Sequence, residues 1–302
     1  MKVAILNNLI KALLFLFSES PTTMFKFFNS DDRNFKKKII SHFHGQNCEF
    51  LADHPILKTV SLDLLESFRD IHFPKAITFY VGAHRSFSGY WSKKNIRIAI
   101  QTEQFYDSSG RKLWSFDNGE VLQNIKISLK NCDVFWDLSK DNARFYEENE
   151  LDTVIGGKGV FGPYVFKKSY EKMRKIINPH LVFYGTPNDR RNELIKEFKS
   201  PKVQVLKRIY GDRLNKMIDQ SAGVLNLHFE EGTYTELPRV LSAYNRRRVL
   251  VSETLAAPFV PLEHYLPLDG IGLSNADKIF NNFSALVADE YNFEILLKEI
   301  SF

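Results

Sequence analysis

Residues 180–192, with the sequence HLVFYGTPNDRRN, carry the pattern that decides the fold. The apolar run 180–184 predicts a strand, residues 185–188 predict a turn, and residues 189–199 predict a helix. The same alternation continues, with strands predicted at 202–206, 223–228 and 249–252 and helices at 212–220 and 236–245. Strands that alternate with helices predict a doubly wound parallel sheet of the α/β class, in which ligands bind outside the carboxyl ends of the strands.

The first half of the chain shows a similar alternation. Strands are predicted at 2–6, 76–81, 96–101, 132–136 and 153–155, and helices at 61–68, 119–129 and 140–148. Four glycines and a proline within 156–163 predict a break in regular structure, and therefore a linker. At 302 residues the chain is long enough for two domains, which we place at 1–160 and 161–302, with the last helix able to pack back on the first domain.

The composition and net charge indicate what kind of core and what kind of ligand to expect. The chain has a net charge of +5 and 26 phenylalanines, so we expect a core rich in aromatic rings. The charge fits an anionic ligand or an anionic membrane surface, or it serves solubility alone. Basic residues are scattered among 36 acidic ones, so nucleic-acid binding is not expected.

No metal, cofactor or disulfide is expected. The two cysteines, Cys48 and Cys132, form no CxxC pair, and a reducing compartment fits them. The pair His42 and His44 has no clear third ligand. Glycines at 157, 159 and 162 have the spacing of a dinucleotide loop, but Pro163 follows where a helix should open. The apolar run 9–17 is too short to span a bilayer, so we expect a cytoplasmic protein whose contact with the inner membrane, if any, is peripheral.

The helix that begins near residue 189 offers an anion site. Its N-terminus presents free backbone N–H groups, which favour a negatively charged ligand. Arg190 and Arg191 lie in its first turn, where basic residues oppose the helix dipole, and an anionic ligand would justify them there. The alternative is that both side chains point to solvent or to Glu193 and Glu197.

The strand that ends at His228 leads into a second candidate region. His228 lies where ligand sites lie in such sheets, although a lone histidine is more often a satisfied core residue. Glu236 falls in the first turn of the next helix, where its charge suits the dipole without any ligand. Arg239 lies one turn further, near the same crevice.

Two carboxylates in the first half follow predicted strands. Glu103 comes after the strand 96–101, and Asp137 comes after the strand 132–136. At parallel strand ends facing a cleft, either is a candidate general base for a hydroxyl group. The alternative for Asp137 is that it caps the following helix, as Ser139 would also do.

These segments together resemble the CgeB-like group of bacterial glycosyltransferases within the GT-B fold. The resemblance covers about residues 95–255 and rests on the order and spacing of seven segments. They are Gln101-Thr102-Glu103-Gln104, 134–142, 183–191, Tyr210-Gly211-Asp212-Arg213-Leu214, Val224-Leu225-Asn226-Leu227-His228, Glu236-Leu237-Pro238-Arg239-Val240 and 248–253.

The resemblance implies two Rossmann-like domains that face each other across a cleft. The second would bind a nucleotide-sugar donor and the first a glycan or lipid-linked acceptor, in the synthesis of bacterial surface polysaccharide. By that likeness His228 would face the sugar, and the donor would be held by Gly185, Thr186, Arg190, Tyr210, Gly211, Glu236, Leu237 and Arg239.

The sequence departs from the retaining pattern of two glutamates eight positions apart, because Tyr244 stands eight positions after Glu236. No Asp-x-Asp motif is present, so transfer without a metal is expected. The alternative is a non-catalytic nucleotide- or sugar-binding module of the same fold. A phosphate-ester hydrolase has no nucleophile or metal motif here to support it.

Overall fold

The structure is a computed structural model that describes residues 41–45, 47–113, 119–168, 170, 172–198, 201–269 and 273–299. It is a mixed α/β protein built on two sheets. The first sheet uses strands up to residue 161, and the second uses strands from residue 180 onward. The predicted strand at 2–6 and the apolar run 9–17 lie outside the described residues.

The first sheet has six strands in the order of the chain, and all are parallel except the antiparallel β1. The strands are β1 (Ser41–Gly45), β2 (Cys48–Ala52), β3 (Ile77–Val81), β4 (Ile96–Gln101), β5 (Val134–Asp137) and β6 (Gly159–Phe161). Successive side chains of a strand point to opposite faces of the sheet. On β5, Val134 and Trp136 pack on one face and Phe135 on the other. Both faces of β5 are therefore covered.

Helices of the first half lie between these strands. They are α1 (Pro55–Ser67), α2 (Gly119–Asn131), α3 (Ala143–Glu148) and α4 (Asp152–Ile155), with a short 3-10 turn at Lys140–Asn142. Helix α1 begins at Pro55, where the missing N–H is harmless, and the His54 side chain accepts a hydrogen bond from Ile56 N.

The second sheet has five parallel strands in the order β11-β10-β9-β7-β8. The strands are β7 (His180–Tyr184), β8 (Lys202–Leu206), β9 (Gly223–Asn226), β10 (Val249–Ser252) and β11 (Leu266–Pro267). The helices are α5 (Asp189–Glu197), α6 (Gly211–Gln220), α7 (Leu237–Asn245), α8 (Ala276–Leu286) and α9 (Phe293–Glu299), with a π-helical turn at Val287–Tyr291 between the last two.

Helix α1 joins the two sheets. Its apolar side, with Leu57, Val60 and Leu64, belongs to a buried cluster that extends through both halves of the chain. Its polar side contacts the second half: Thr59 Oγ1 accepts from Gly211 N at 2.9 Å, and the backbone oxygen of Asp63 accepts from the Asn245 side chain at 2.7 Å. The two halves therefore pack on each other through a shared core.

The end of the described chain returns to the first sheet. Phe293, the first residue of α9, stacks on Phe68 with ring centroids 3.9 Å apart. It also makes edge contacts with Phe73 and Phe79 and lies against Trp136. These rings form the aromatic core expected from the phenylalanine content.

Two predictions for the first half were wrong. Residues 153–155 belong to helix α4 and not to a strand. The run 156–163, predicted to lack regular structure, contains strand β6, whose backbone pairs with β5 at Phe135, Trp136 and Asp137. A glycine-rich strand has no side-chain periodicity to reveal it, so only its pairing partner defines it. The segment between the sheets accordingly runs from 162 to 179.

Candidate functional site

The carboxyl ends of the two sheets face each other. We call the loops after β2 to β5 the first edge and the loops after β7 to β10 the second edge. One contact joins Thr59, in the helix α1 that follows β2, to Gly211, the first residue of the helix α6 that follows β8. Another joins the loop after β4 to the loop after β9, with Ser108 N donating to Thr233 O at 2.9 Å. Strand β3 lies between β2 and β4, and β7 lies between β9 and β8. The ends of β3 and β7 therefore face each other between the two contacts.

Gly185 follows β7 at the second edge. Its φ is +142°, in the region that favours glycine. A Cβ built on Gly185 would lie 2.9 Å from Nη2 of Arg239. Glycine thus allows a guanidinium group to lie against the backbone at the end of β7. Thr186 is exposed beside it, and its carbonyl oxygen accepts from Arg191 Nη1 at 2.8 Å.

Arg191 is the most enclosed charge of the second edge, with 2% exposure. The Asn188 side chain caps α5 by accepting from Arg191 N at 2.9 Å, which fixes where the side chain starts. Its guanidinium then donates to the carbonyl oxygens of Thr186, Leu227 and His228. Burial lowers the pKa of Arg191 to about 10, so it stays charged at neutral pH. Arg191 joins the loops after β7 and β9.

Glu236 accepts from two guanidinium groups. Arg191 Nη2 lies 2.7 Å from one carboxylate oxygen, and Arg239 Nη2 contacts the other. Arg239 is also buried, and it donates to the Tyr184 carbonyl oxygen at 3.0 Å and to the Asn226 side chain at 2.5 Å. Leu237 is buried beside them at the start of α7. Glu236 is thus held by charge at the end of β9.

Arg190 takes a different partner from its neighbour. Successive residues of a helix point about 100° apart, so Arg190 and Arg191 leave α5 in different directions. The Arg190 guanidinium binds both carboxylate oxygens of Glu253 and the His228 carbonyl oxygen. It keeps 27% of its side chain exposed, which leaves it the most accessible guanidinium of the cluster.

His228 is wholly buried, and one of its ring nitrogens has no protein partner. Nδ1 lies 2.9 Å from Gly232 O, and a carbonyl only accepts, so Nδ1 carries the proton. Nε2 therefore holds a lone pair, and it is buried without a hydrogen bond. Burial is the main cause that lowers the pKa of His228, which keeps the ring neutral. The ring stacks on Tyr234 at 4.0 Å. Nε2 can accept one hydrogen bond, but at 0% exposure the ring does not reach the surface, contrary to the expectation that it faces a sugar.

Three guanidinium groups of the second edge (Arg190, Arg191 and Arg239) form ion pairs with two carboxylates (Glu236 and Glu253). Glu231, on the loop after β9, also acts electrostatically on Arg190. The N-termini of α5 and α7 lie at the same edge, and helix N-termini favour an anionic ligand.

The first edge carries a histidine that the sequence analysis did not single out. His84 follows β3, and its Nδ1 lies 3.0 Å from Gln101 Oε1. Gln101 donates through its Nε2 to Glu103 O at 3.3 Å, so its Oε1 is the acceptor and His84 Nδ1 is the donor. The Nε2 atom of His84 lies 4.0 Å from a carboxylate oxygen of Glu103. Burial lowers the pKa of His84, and the charge of Glu103 opposes that shift.

The two carboxylates predicted at the first edge lie in different environments. The Glu103 side chain is 45% exposed. Asp137 is 0% exposed. It accepts from Asn142 Nδ2 at 3.0 Å, Tyr146 OH at 2.5 Å and Ser139 N at 2.9 Å. Burial raises the pKa of Asp137 to about 7. Asp137 does not reach the surface of the cleft, and its contacts hold together the segment after β5.

Tyr210 and Gly211 lie after the edge strand β8. Tyr210 is 39% exposed and precedes the first residue of α6. Gly211 has a φ of +59° and lies against α1. Both are therefore at the outer margin of the cleft, on the side away from His228.

Within the described ranges, no group of three or more His, Cys, Asp or Glu side chains is placed to hold a metal ion. In that same part of the chain, no helix has the length and apolar character needed to cross a membrane. Cys48 and Cys132 are buried, and neither forms a disulfide.

Several residues of the site were not predicted as such. His84 follows a strand whose five residues are all buried and then Gly82; the largely apolar run 77–81 followed by a glycine is the signal that could have found it. Arg191 is a second such residue. The sequence does not show which of the two neighbouring arginines, Arg190 or Arg191, turns inward, so only Arg190 is predicted to bind the donor. Glu253 stands immediately after the predicted strand 249–252, at the same edge of the sheet.

Comparisons with known proteins give little further guidance. No protein-family model matches the chain, and no curated protein matches it. Among solved structures, one described as the crystal structure of the GtfA/B complex bound to UDP and GlcNAc matches with 10% sequence identity and a TM-score of 0.28. The match covers 74% of this chain and 56% of that chain. This chain thus spans little more than half of that structure, and a TM-score this low does not establish a shared fold.

Proposed function

We propose that this protein is a glycosyltransferase of the GT-B type that moves a sugar from a nucleotide-sugar to a glycan or lipid-linked acceptor. The part of the chain through β6 would form the Rossmann-like acceptor domain, and the part from β7 onward the Rossmann-like donor domain. The observation that carries the proposal is the guanidinium cluster at the second edge, formed by Arg190, Arg191 and Arg239.

The second edge suits the diphosphate of a donor. The backbone at Gly185 and Thr186 and the accessible guanidinium of Arg190 would bind the phosphates. Arg239 and Arg191 would supply positive charge behind them. Fixed donors and charges aimed at a leaving group stabilise the charge that develops on it. Glu236 would accept from the ribose, and Tyr210 would lie near the base.

The first edge suits an acceptor hydroxyl. In the proposed step, the hydroxyl oxygen forms a bond to the anomeric carbon of the sugar. The bond from that carbon to the diphosphate oxygen breaks, and its electron pair leaves with the diphosphate. The hydroxyl proton moves to His84 Nε2, whose imidazolium form Glu103 would stabilise. We assign the base to this pair and not to Asp137, because a base must reach the substrate.

The proposed partners follow from this chemistry. They are a nucleotide-sugar and a glycan or lipid-linked acceptor, in bacterial surface polysaccharide synthesis at the cytoplasmic face of the membrane. The step as proposed uses side chains and backbone groups of this chain and requires no metal ion.

The test begins with binding. The protein is mixed with UDP, GDP, CMP, dTDP and ADP in turn, and its thermal midpoint is recorded. A ligand at a hundred times its Kd stabilises the fold by about 2.7 kcal/mol, so one nucleotide should raise the midpoint by several degrees. Arg190→Ala should weaken that nucleotide about tenfold or more, whereas Arg213→Ala, an exposed arginine on α6, should not. No response to any nucleotide at millimolar concentration would contradict the proposal.

The second candidate is a non-catalytic nucleotide- or sugar-binding module. The burial of Asp137 favours it, since Glu103 is then the sole predicted carboxylate of the first edge that is accessible. The two candidates differ in one experiment. If the protein hydrolyses or transfers sugar from its nucleotide-sugar, His84→Gln should abolish turnover while nucleotide affinity stays the same. If wild-type protein binds nucleotide and turns over no donor with any acceptor, the binding module is correct.

A further inference from the structure

Residues 229–235, which we call the site loop, connect His228 to Glu236 at the second edge. The loop starts next to His228 and ends next to Glu236. It also holds the His228 ring, because the carbonyl oxygen of Gly232 accepts from Nδ1 at 2.9 Å. The conformation of the site loop therefore decides where His228 Nε2 and the Glu236 carboxylate lie.

Residues of the first half of the chain contact the site loop at three points. Ser108 N donates to Thr233 O at 2.9 Å, and Thr235 N donates to Gln104 Oε1 at 3.0 Å. At the third point, a Cβ built on Gly232 would lie 2.7 Å from Arg111 Nη2 and 2.9 Å from Asp107 Oδ2. The site loop belongs to the second half, yet its position depends on residues of the first.

Residues 105–113, which we call the hairpin arm, are stiff. Asp107 accepts from Ser109 and Arg111 around a tight turn, and Tyr106 pairs with Lys112 across it. Arg144 of α3 lies over the Tyr106 ring and donates to Gly110 O at 3.1 Å. The arm is thus fixed to the first sheet rather than to the loop it contacts.

Gln104 lies at the base of the hairpin arm, and its side chain is oriented by contacts within the first half of the chain. Its Nε2 donates to Tyr106 O at 3.0 Å and to Asp141 Oδ2 at 3.2 Å, both within the first half. Those two acceptors leave Oε1 directed at Thr235 N, the backbone donor one residue before Glu236. The side chain is a preformed acceptor for the start of α7.

We infer that Gln104 is a positioning residue for the second edge. Through Thr235 it sets the start of α7, and with it the carboxylate of Glu236 and the loop that orients His228. Relative movement of the two halves would then change the ligand site directly, since the contact crosses between them. This role rests on the proposed function only in naming the ligand as a nucleotide-sugar.

The test uses three full-length variants. Gln104→Met keeps the length of the side chain and removes its hydrogen bonds. Gln104→Glu keeps the oxygen that accepts from Thr235 N but loses the donor to Tyr106 O and places a charge beside Asp141. Gln123→Ala, an exposed glutamine on α2, is the matched control. Backbone amide exchange, the ¹⁵N shifts of the His228 ring and nucleotide affinity are measured for each.

In Gln104→Met, exchange at residues 233–237 should quicken about five- to tenfold, the value for loss of one hydrogen bond. The ring shifts of His228 should move, and nucleotide affinity should fall by a similar factor. Exchange in β3 and β7 should match wild type. Gln104→Glu should restore part of the protection at Thr235, and Gln123→Ala should change nothing.

Two results would overturn the inference. One is wild-type exchange at 233–237 with unmoved His228 shifts in Gln104→Met. The other is an equal rise in exchange across both sheets, which would make Gln104 a general stabilising residue. If wild-type protein binds no nucleotide, the proposed function fails, but exchange and ring shifts still decide the role of Gln104.

Discussion

The buried carboxylate of the first edge and the carboxylate of the second edge have different kinds of hydrogen-bond partners. At the first edge, Asp137 is enclosed by neutral donors: an amide, a phenol and a backbone N–H. At the second edge, Glu236 is held by the guanidinium groups of Arg191 and Arg239. Burial raises the pKa of Asp137 to about 7, although these three donors oppose the shift, whereas Glu236 and Glu253 at the second edge lie in ion pairs.

The partners of a carboxylate indicate whether it serves the structure or a ligand site. A carboxylate whose oxygens are fully used by neutral donors has nothing to offer a ligand. Guanidinium groups beside helix N-termini can bind an anionic ligand. The position of a carboxylate after a strand therefore says less about function than the charge of the groups around it.

The largest expected effect is that of Arg191→Ala on stability. The substitution removes a buried charge that joins three carbonyl oxygens and a carboxylate, and it leaves Glu236 with one guanidinium partner. Breaking a buried ion pair from one side costs about 3–5 kcal/mol. Urea denaturation should show that loss, while Arg213→Ala on the exposed face of α6 should stay within about 0.5 kcal/mol of wild type. Equal stability of the two variants would mean that the guanidinium cluster does not hold the second edge together.

A pH-dependent effect is expected from Asp137→Asn. Folding raises the pKa of Asp137 from its ordinary value of 3.8 to about 7. The folded state therefore favours the protonated form, and this stabilisation is complete below pH 3.8 and is lost as pH rises through 7. The loss is on the order of 4 kcal/mol, and it should be absent from Asp137→Asn.

The measurement is the free energy of unfolding at several pH values between 4 and 8 for both proteins. The difference between them should change across this range. Asp63→Asn is the matched comparison, since burial at the α1–α7 interface raises the pKa of Asp63 to about 6, so its step should fall at lower pH. Parallel curves for wild type and Asp137→Asn would show that Asp137 is not enclosed as described.

Gly185→Ala tests how closely the second edge is packed. The φ of +142° disfavours alanine, and the new Cβ would lie 2.9 Å from Arg239 Nη2. A residue held in such a conformation costs about 1–3 kcal/mol. Gly157→Ala in the first half is the control, because no atom lies within 4 Å of its added Cβ. Thermal midpoints should fall for Gly185→Ala alone, and a tolerant Gly185 would place Arg239 further from the end of β7.

Part of this arrangement could be predicted from sequence. The alternation of apolar runs and helices in residues 180–252 predicts all four main strands of the second sheet, because each strand is marked by its own side chains. Strand β6 could not be predicted, since its identity comes from pairing with β5. The candidate residues of the second edge were found where strands end, but their partners were not. Whether Arg190 or Arg191 turns inward depends on the Asn188 cap, and the burial of Asp137 depends on Tyr146, nine residues away.

The smallest expected effect compares two tyrosines of equal exposure, one at each edge. Tyr210 after β8 is 39% exposed, and Tyr90 after β3 is 38% exposed. Replacing either with alanine should change stability by less than about 1 kcal/mol, since much of each ring is already in water. If the second edge holds a nucleotide, Tyr210→Ala should weaken its binding about fivefold, as expected for loss of one stacked base at about 1 kcal/mol. Tyr90→Ala should leave binding unchanged. Calorimetric titration separates the two. Equal losses of affinity in Tyr210→Ala and Tyr90→Ala would place the nucleotide between the two edges rather than on the second edge. The difference between the edges from which the donor site is inferred would then no longer hold.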